Sequence, residues 1–382
     1  MKIACSSTSS VPSETANSIQ VLMACQGLRL AGQTISLWVP GKQMIAYPEI
    51  RSRYGLMEDP FPIRNIPSNP ALHRIDFSLK ALKEASRYQA DWIYTWTIQV
   101  AALAAQRGRA SVFEVHDLPT GRFGKRWFRN FVSSRSPKII AFITESLQEK
   151  VKSIYPELNE SDCIISPNGV NLEDYLIKPE REKIRLKLGM DKPESLMAAC
   201  SGHLYSGRGT ELFLALAKNN PDLYFCWFGG RAEDVERLRN EASQRKIRNV
   251  CFTGFIPKNE LPAYLVASDI LLMPYEKEIA GSSGGNSASI CSPMKMFEYL
   301  AAGKPILSSN LSVIHEVLDQ NSAVFCEPED LNSWNDGLRR LVSDESLRAA
   351  LSDHALELAH QYSWKEREMR IVDKMEMTNA ER

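Results

Sequence analysis

The sequence predicts an α/β protein with two domains, each built around a parallel β-sheet, and three observations lead to this prediction. The 382 residues are too many for one ordinary hydrophobic core. Short apolar runs rich in β-branched and aromatic residues alternate with longer amphipathic stretches, which is typical of βαβ units. A charged segment with two prolines, Pro179 and Pro193, separates two series of such runs.

The N-terminal domain is predicted to span residues 1–170. Its first crossover helix is expected over residues 13–30, because Gly32 follows the last apolar position and suits a helix end. Its strands are expected at 2–5, 35–39, 92–94, 111–115, 139–143 and 163–166.

Residues 171–193 are predicted to be a hinge, and the C-terminal domain is predicted to span residues 194–361. Helices are expected at 232–245, 260–267 and 294–302. The charged tail, residues 362–382, has apolar side chains spaced as on one face of a terminal helix. The strands of this domain are expected at 196–201, 224–228, 250–253, 270–273, 305–308 and 323–325.

Composition excludes several function classes. Lys+Arg and Asp+Glu both number 46, so a nucleic-acid binder that relies on bulk phosphate attraction is not expected. None of the eight cysteines forms a C-x-x-C pair, which argues against a zinc or dithiol site and for reduced, buried thiols. No run approaches the roughly 20 apolar residues of a membrane span. We therefore expect a cytoplasmic protein, peripheral at most to the inner membrane face.

The richest candidate site lies between residues 269 and 310, since ligands of open α/β sheets bind beyond the carboxyl ends of strands. A strand ends at Pro274, and a glycine- and serine-rich loop follows at 281–287. Ser292 then suits an N-cap, Pro293 the first helical position and Gly303 the helix end. A helix N-terminus behind such a loop favours phosphate.

Two charged side chains of this predicted helix carry alternative interpretations. Lys295, in the first turn, either offsets a bound diphosphate or is a solvated surface lysine. Glu298, flanked by apolar residues, either accepts hydrogen bonds from ribose hydroxyls or is an exposed helix carboxylate.

Further candidates follow two other predicted strands. The stretch 201–210 places glycines and the fixed cation Arg208 before a helix, which suits a diphosphate. His116 ends another strand, where it either meets a substrate or is structural. The segment 122–138 is basic with recurring aromatic residues, so it is either a helix that rests on anionic lipid or one that packs its aromatic stripe in the core.

The stretch SPMKMFEYLAAGKPILSS at 292–309 resembles the nucleotide-sugar signature of retaining family 4 glycosyltransferases, glycosyltransferase group 1, which have the GT-B fold. Other motifs of that family are matched in order at 167–171, 202–209, 261–269, 273–275 and 362–364. The similarity is strong in the C-terminal half and weak before His116.

The resemblance implies two Rossmann-like domains facing across a cleft, with the tail helix crossing back to the first domain. It implies transfer of a sugar from a UDP- or GDP-sugar on the second domain, with retention of anomeric configuration, in glycan biosynthesis. The acceptor, a glycan, lipid-linked or small molecule, would bind the first domain. Neither a metal nor a cofactor beyond the donor is expected, because cations and helix dipoles would stabilise the leaving diphosphate.

The resemblance also assigns site residues. His116 would contact the transferred sugar, Arg208 the diphosphate and Glu298 the ribose, with Lys295 as a second cation beside the diphosphate. The residues expected to act in transfer are thus His116, Arg208 and Lys295. Those expected to bind the donor are Gly202, His203, Gly209, Ser292, Pro293, Met294 and Glu298.

Three departures from the family pattern are visible. Ile290 stands where many members have the first of two glutamates, His203 stands where an arginine is expected, and the N-terminal glycine-rich turn is replaced by hydroxyl residues between Ser6 and Ser13. The alternatives are a nucleotide-sugar epimerase on the same fold and a non-catalytic nucleotide-sugar-binding regulator. A nicotinamide oxidoreductase is disfavoured, since no G-x-G-x-x-G follows the first strand.

Overall fold

A computed structural model describes residues 1–13, 15–41, 46–57, 60–72, 74–119, 123–279 and 286–380. The chain divides into two compact units. The N-terminal unit comprises Met1–Asn168 together with Trp364–Arg382, and the C-terminal unit comprises Gly169–Ser363. Residues 171–193 lie within the C-terminal unit, where the buried Arg185 donates to the carbonyls of Ala267, Pro193 and Ser195.

The N-terminal unit has a seven-stranded sheet in which all neighbours pair in parallel, in the order β3-β2-β1-β4-β5-β6-β7. The first six positions follow the Rossmann order 3-2-1-4-5-6. The strands are β1 Lys2–Ser6, β2 Thr34–Pro40, β3 Ile63–Ile66, β4 Trp92–Thr95, β5 Ser111–Val115, β6 Lys138–Phe142 and β7 Cys163–Ile165.

Helices cover this sheet, and the last of them comes from the far end of the chain. The first helix, α1, begins after Thr15, whose side chain accepts a hydrogen bond from the Ser18 amide. The terminal helix buries Trp364, Ile371, Val372 and Met375 in the core of this unit. The helices are α1 Ala16–Leu30, α2 Tyr47–Tyr54, α3 Ile75–Arg87, α4 Ile98–Gln106, α5 Gly124–Val132, α6 Glu145–Ile154 and α15 Trp364–Ala380, with 3₁₀ turns Pro70–Leu72 and Glu160–Asp162.

The C-terminal unit repeats the Rossmann strand order in a six-stranded parallel sheet, β10-β9-β8-β11-β12-β13. The strands are β8 Met197–Ser201, β9 Tyr224–Phe228, β10 Val250–Gly254, β11 Ile270–Met273, β12 Ile306–Ser309 and β13 Ala323–Cys326. The helices are α7 Arg181–Lys187, α8 Thr210–Asn219, α9 Ala232–Gln244, α10 Leu261–Val266, α11 Met294–Ala301, α12 Ser312–His315, α13 Leu331–Ser343 and α14 Glu345–Gln361, after a 3₁₀ turn Leu172–Tyr175.

The α/β prediction is confirmed, and every predicted strand is present within a residue or so of its expected bounds. One strand was missed, β3, because its sequence IRNI is short, half polar and flanked by Pro60, Pro62 and Pro67. The helix predicted at 294–302 begins at Met294 as expected, but Pro293 rather than Ser292 takes the N-cap position. It ends as predicted, since Gly303 has φ +59°.

Within the described residues, none of the helices combines the length and apolar character that crossing a membrane requires.

Candidate functional site

The candidate site of the C-terminal unit lies where the strand order reverses. Strand β8 pairs with β9 on one side and β11 on the other, so the loops after β8 and β11 diverge from a shared edge of the sheet. Open α/β sheets bind ligands at such a point. The loop after β8, residues 202–209, and the segment after β11, residues 274–279, pack against each other there.

Glycine makes this packing possible. A Cβ atom added to Gly209 would lie 1.9 Å from the Pro274 carbonyl oxygen, and one added to Gly207 would lie 2.4 Å from that of Glu278. Both glycines have positive φ, +76° and +87°. The sequence interpretation of 202–209 as a glycine-dependent loop thus has a specific cause, the close approach of two backbone segments.

Two cations converge on one aromatic ring beside this loop. The Arg208 guanidinium carbon and the Lys295 Nζ each lie 5.1 Å from the ring centroid of Tyr275, a buried side chain. Arg208 also stacks on Tyr205 at 4.6 Å and donates to its hydroxyl. Lys295 Nζ lies 5.8 Å from the Trp227 ring. The two predicted diphosphate cations are therefore neighbours in space although 87 positions apart in the chain (295 minus 208).

The electrostatics of this pair suit an anion. Among the described residues neither cation forms an ion pair with a carboxylate, and the buried Arg208 Nε has no hydrogen-bond partner. Burial lowers the pKa of Lys295, and the positive charge of Arg208 lowers it further, against an opposing contribution from the Cys200 thiol 3.5 Å away. Lys295 is only 8% exposed, so the interpretation as a solvated surface lysine is not supported.

Helix α11 brings Glu298 into the same region, but with a partner that the sequence did not suggest. Glu298 is buried and its Oε1 accepts from Nζ of Lys258, which belongs to the loop between β10 and α10. The interpretation as an exposed helix carboxylate is therefore wrong. Lys258 lies 40 positions away in sequence, and no periodicity or motif singles it out.

The other predicted donor-binding residues surround these charges. Gly202 approaches Lys295, since a Cβ added there would lie 3.6 Å from Nζ. The exposed His203 stacks its ring on Tyr205 with centroids 5.6 Å apart, next to the hydrogen bond between Tyr205 and Arg208. Ser292 is buried and Pro293 and Met294 are half-buried at the start of α11.

Two further positions of the donor region were singled out by the sequence. Ile290 is 6% exposed and buried, so the position where many relatives carry a glutamate holds an apolar side chain. Residues 281–285 of the predicted glycine-rich loop lie outside the described residues.

His116 belongs to the N-terminal unit, at the carboxyl end of β5. Its Nε2 lies 2.7 Å from Oε1 of Glu114, whose side chain is fully buried. Glu114 also pairs with Arg367 of α15. His116 itself is 29% exposed at the side chain, so one edge of the ring remains accessible. Glu114 was missed by sequence reasoning because a carboxylate inside a strand looks like any solvent-facing strand residue.

The basic segment 122–138 is divided by the structure. Phe128 and Phe131 are buried against Phe113, as the core-packing interpretation requires. Lys138 lies in β6 and pairs with Asp162 at 3.3 Å, so it is no part of a helix surface. Arg122 lies outside the described residues. The exposed part of α5 and its flanks keeps one aromatic and several cationic side chains, namely Phe123, Lys125, Arg126, Arg129 and Arg135.

A family model described as glycosyl transferases group 1 matches residues 180–357 of this chain. Among curated proteins, an alpha-galactosylglucosyldiacylglycerol synthase of Streptococcus pneumoniae is 21% identical over 52% of this chain and 50% of its own length. A phosphatidyl-myo-inositol mannosyltransferase of Mycolicibacterium smegmatis is 24% identical over 90% of this chain and 85% of its own length. The chain thus spans half the length of the Streptococcus pneumoniae relative, and 22% and 36% of the lengths of two further matched relatives.

Solved structures share the fold over the whole chain. HepE of Anabaena in complex with UDP is 16% identical, with a TM-score of 0.75 over 99% of this chain and 100% of that chain. A glycosyltransferase of Rickettsia africae is 13% identical, with a TM-score of 0.77 over 99% of this chain and 98% of that one. These likenesses establish the GT-B architecture of two Rossmann-like domains.

Proposed function

We propose, from the match of residues 180–357 to the family model of glycosyl transferases group 1, that the protein transfers a sugar from a nucleotide-sugar donor to an acceptor. The donor is a UDP- or GDP-sugar held by the C-terminal unit. Transfer retains the anomeric configuration and requires neither a metal nor a further cofactor. Retention is supported by the resemblance of residues 292–309 to the signature of retaining enzymes.

The observation that carries this proposal is the pair of cations at the switch point, the buried Lys295 and the half-buried Arg208. Arg208 and Lys295 share the Tyr275 ring and lack a carboxylate partner within the described residues. Two like charges that lie close together and are partly withdrawn from water repel each other and lose hydration, so a bound anion makes the arrangement favourable. A nucleoside diphosphate supplies that anion, and its charge is largest as it leaves, so the cations stabilise the transition state more than the ground state.

A dianionic leaving group needs positive charge from some source. The guanidinium of Arg208 keeps its charge at any physiological pH and presents several fixed donors, whereas Lys295 is a compact ammonium. The N-terminus of α11 adds a dipole of the same sign. Together these groups can do the work that a divalent cation does in other transferases, which is the basis for proposing metal-independent transfer.

Glu298 is proposed to bind the two ribose hydroxyls. Lys258 holds its carboxylate in place, with Oε1 engaged by that lysine. A carboxylate oxygen has more than one acceptor site, so ribose can be bound while the pair with Lys258 persists.

The similar solved structures support a nucleotide-sugar donor, but they do not identify the acceptor. HepE of Anabaena was solved with UDP and with UDP-glucose. The relatives named above act on diacylglycerol and phosphatidylinositol lipids by their names. A lipid-linked acceptor, with the cationic side chains around α5 resting on the membrane, is therefore included in the proposal beside glycan and small-molecule acceptors.

The test is calorimetric titration of the full chain with UDP, GDP and ADP in the absence of added metal. We expect one nucleotide to bind selectively. Glu298→Ala should weaken that binding at least tenfold, because the variant loses the buried carboxylate that accepts hydrogen bonds from the ribose hydroxyls. Glu236→Ala, an exposed carboxylate on α9, is the matched control and should bind like the wild type.

Either of two results would contradict the proposal. Absence of binding by every nucleotide would remove the donor site. Normal binding combined with no transfer and no donor hydrolysis for any UDP- or GDP-sugar would favour a non-catalytic nucleotide-sugar-binding regulator, the function for which Ile290 in place of a glutamate is the specific observation.

A further inference from the structure

We propose that Glu114 is a positioning residue for His116: the buried carboxylate holds the imidazole by its Nε2 and so presents Nδ1 to the substrate. The role of His116 in transfer rests on the proposed function above. The contact itself does not, and it can be tested separately.

Strand β5 places the side chains of Glu114 and His116 close together. Glu114 and His116 are two residues apart, so on a strand they point to the same face of the sheet. Glu114 lies inside the strand and is fully buried, whereas His116 follows its last residue and is 29% exposed. The carboxylate therefore reaches the imidazole from the protein interior, with Oε1 2.7 Å from Nε2.

Glu114 is held by more than His116. Its Oε1 accepts from Gln20 Nε2 at 2.5 Å and from Arg367 at 2.7 Å, and its Oε2 accepts from the Tyr94 hydroxyl. These donors come from three separate elements, α1, α15 and β4, of which β4 pairs with β5 in the sheet. A carboxylate fixed by donors on both oxygens cannot rotate, so it imposes one orientation on the imidazole it contacts.

The charge state of Glu114 determines which way the hydrogen bond runs. Although burial alone would raise its pKa, the charge of Arg367 and the contacts with His116 and Tyr94 bring it to about 2. An ionised carboxylate only accepts, so His116 Nε2 must carry a proton and donate. In the neutral imidazole Nδ1 is then bare and able to accept, and no described residue occupies it.

Helix α15 supplies the support and also a control. Arg367 donates to Glu114, to the carbonyls of Ser166 and Pro167, and to Glu368, so it ties β5 and the end of the N-terminal sheet to the terminal helix. Glu368 is as buried as Glu114 and shares Arg367 with it, but its hydrogen bonds do not include His116. Glu368→Gln therefore perturbs the same buried cluster without removing the contact in question.

The first experiment is ¹⁵N and ¹H NMR of the histidine side chains in the full chain, with His116 assigned by its disappearance in His116→Ala. We expect a protonated Nε2 with a slowly exchanging, downfield proton, which is typical of donation to a charged acceptor. In Glu114→Gln that proton should move upfield, and in Glu368→Gln it should stay. A bare Nε2 in the wild type, or a resonance that Glu114→Gln leaves unchanged, would overturn the proposal. The wild-type spectrum decides the matter even if Glu114→Gln does not fold.

The second experiment is a double-mutant cycle on turnover. Glu114→Gln should lower kcat by roughly 10- to 100-fold, a loss of the size found when the orienting partner of a functional histidine is removed. Nucleotide affinity should be unchanged, because the donor is held by the C-terminal unit. In a His116→Ala background, Glu114→Gln should not lower kcat any further. An equal decrease in kcat in both backgrounds would mean that Glu114 has a structural role, and it would overturn the positioning proposal.

The experiments distinguish failure of the proposed sugar transfer from failure of the positioning role of Glu114. A wild type without transfer or donor hydrolysis refutes the proposed function while the NMR contact is still measured. An active enzyme in which Glu114→Gln affects neither the resonance nor kcat refutes positioning alone.

Discussion

Replacing Glu368 with glutamine tests whether the buried cluster of the N-terminal unit holds a proton that the unfolded chain would release. Glu368 is fully buried beside Arg367, Glu114, Tyr94 and Cys25. Burial raises its pKa to about 8, and the negative charge of Glu114 adds to that rise, against the opposing charge of Arg367. One arginine thus serves two carboxylates, and Glu114, the one held by additional donors, keeps the charge.

The magnitude follows from proton linkage. In the unfolded chain a glutamate ionises near its ordinary pKa of 4.5, so between about pH 5 and 8 only the folded protein keeps this proton. A raised folded pKa contributes stability at low pH that is lost as the pH rises, by at most about 1.4 kcal/mol per pH unit for one proton. Glu114, with its pKa near 2, has the opposite sign but loses its contribution only below about pH 4.5.

The assay is urea unfolding of the wild type and Glu368→Gln at pH 5, 6, 7 and 8. Tryptophan fluorescence reports mainly on the N-terminal unit, which contains five of the seven tryptophans, namely Trp38, Trp92, Trp96, Trp127 and Trp364. Glutamine mimics the protonated acid, so the difference in unfolding free energy, mutant minus wild type, should grow steadily in favour of the mutant as the pH rises. The difference cancels the titrating groups that do not interact with Glu368.

A flat difference between pH 5 and 8 would refute the reasoning. It would mean that Glu368 is ionised in the folded protein across this range and that Arg367 stabilises two charges at once. A difference that grows with falling pH would have the wrong sign and would refute it equally.

Two further predictions concern the donor site and the membrane. Arg208→Ala should lower kcat by about 10²- to 10³-fold, the usual effect of removing one hydrogen-bond donor to the anion of the transition state, and should affect nucleotide affinity less. Steady-state kinetics would measure this, with the exposed Arg340→Ala as the control. Unchanged turnover would assign diphosphate stabilisation to another cation. The full chain should float with vesicles that contain anionic phospholipid. Lys125→Glu combined with Arg126→Glu should reduce flotation, because both side chains are exposed on α5. Equal flotation of the wild type and the double variant would exclude this surface as the membrane-binding site.

The strands and helices that carry the site could be predicted because their signal is local. Short apolar runs bounded by glycine, proline or polar residues identified β8 and β11, and Gly303 marked the end of α11. The start of α11 at Met294 was predicted, but its N-cap was not, since Pro293 rather than Ser292 occupies that position and makes no side-chain cap hydrogen bond. Strand β3 carried too weak an apolar pattern to be recognised.

The contacts of the site residues could not be predicted, because they join positions far apart in the chain. Lys258 and Glu298 meet across 40 residues, and Arg367 reaches Glu114 across 253. Neither pair leaves a pattern in the local sequence. A charged residue in an apolar stretch is a visible anomaly, but its partner is determined by how helices pack on the sheet.

The sequence by itself determined the α/β class, the two parallel sheets, and the candidate diphosphate residues Arg208 and Lys295, because alternation, glycine placement and strand-end position are properties of neighbouring residues. Tertiary structure decided what those residues face. It placed both cations on the ring of Tyr275, paired Glu298 with Lys258, and surrounded Glu114 with donors from three elements. Burial and distance determine charge state and orientation, and both are set only when segments remote in sequence are packed together.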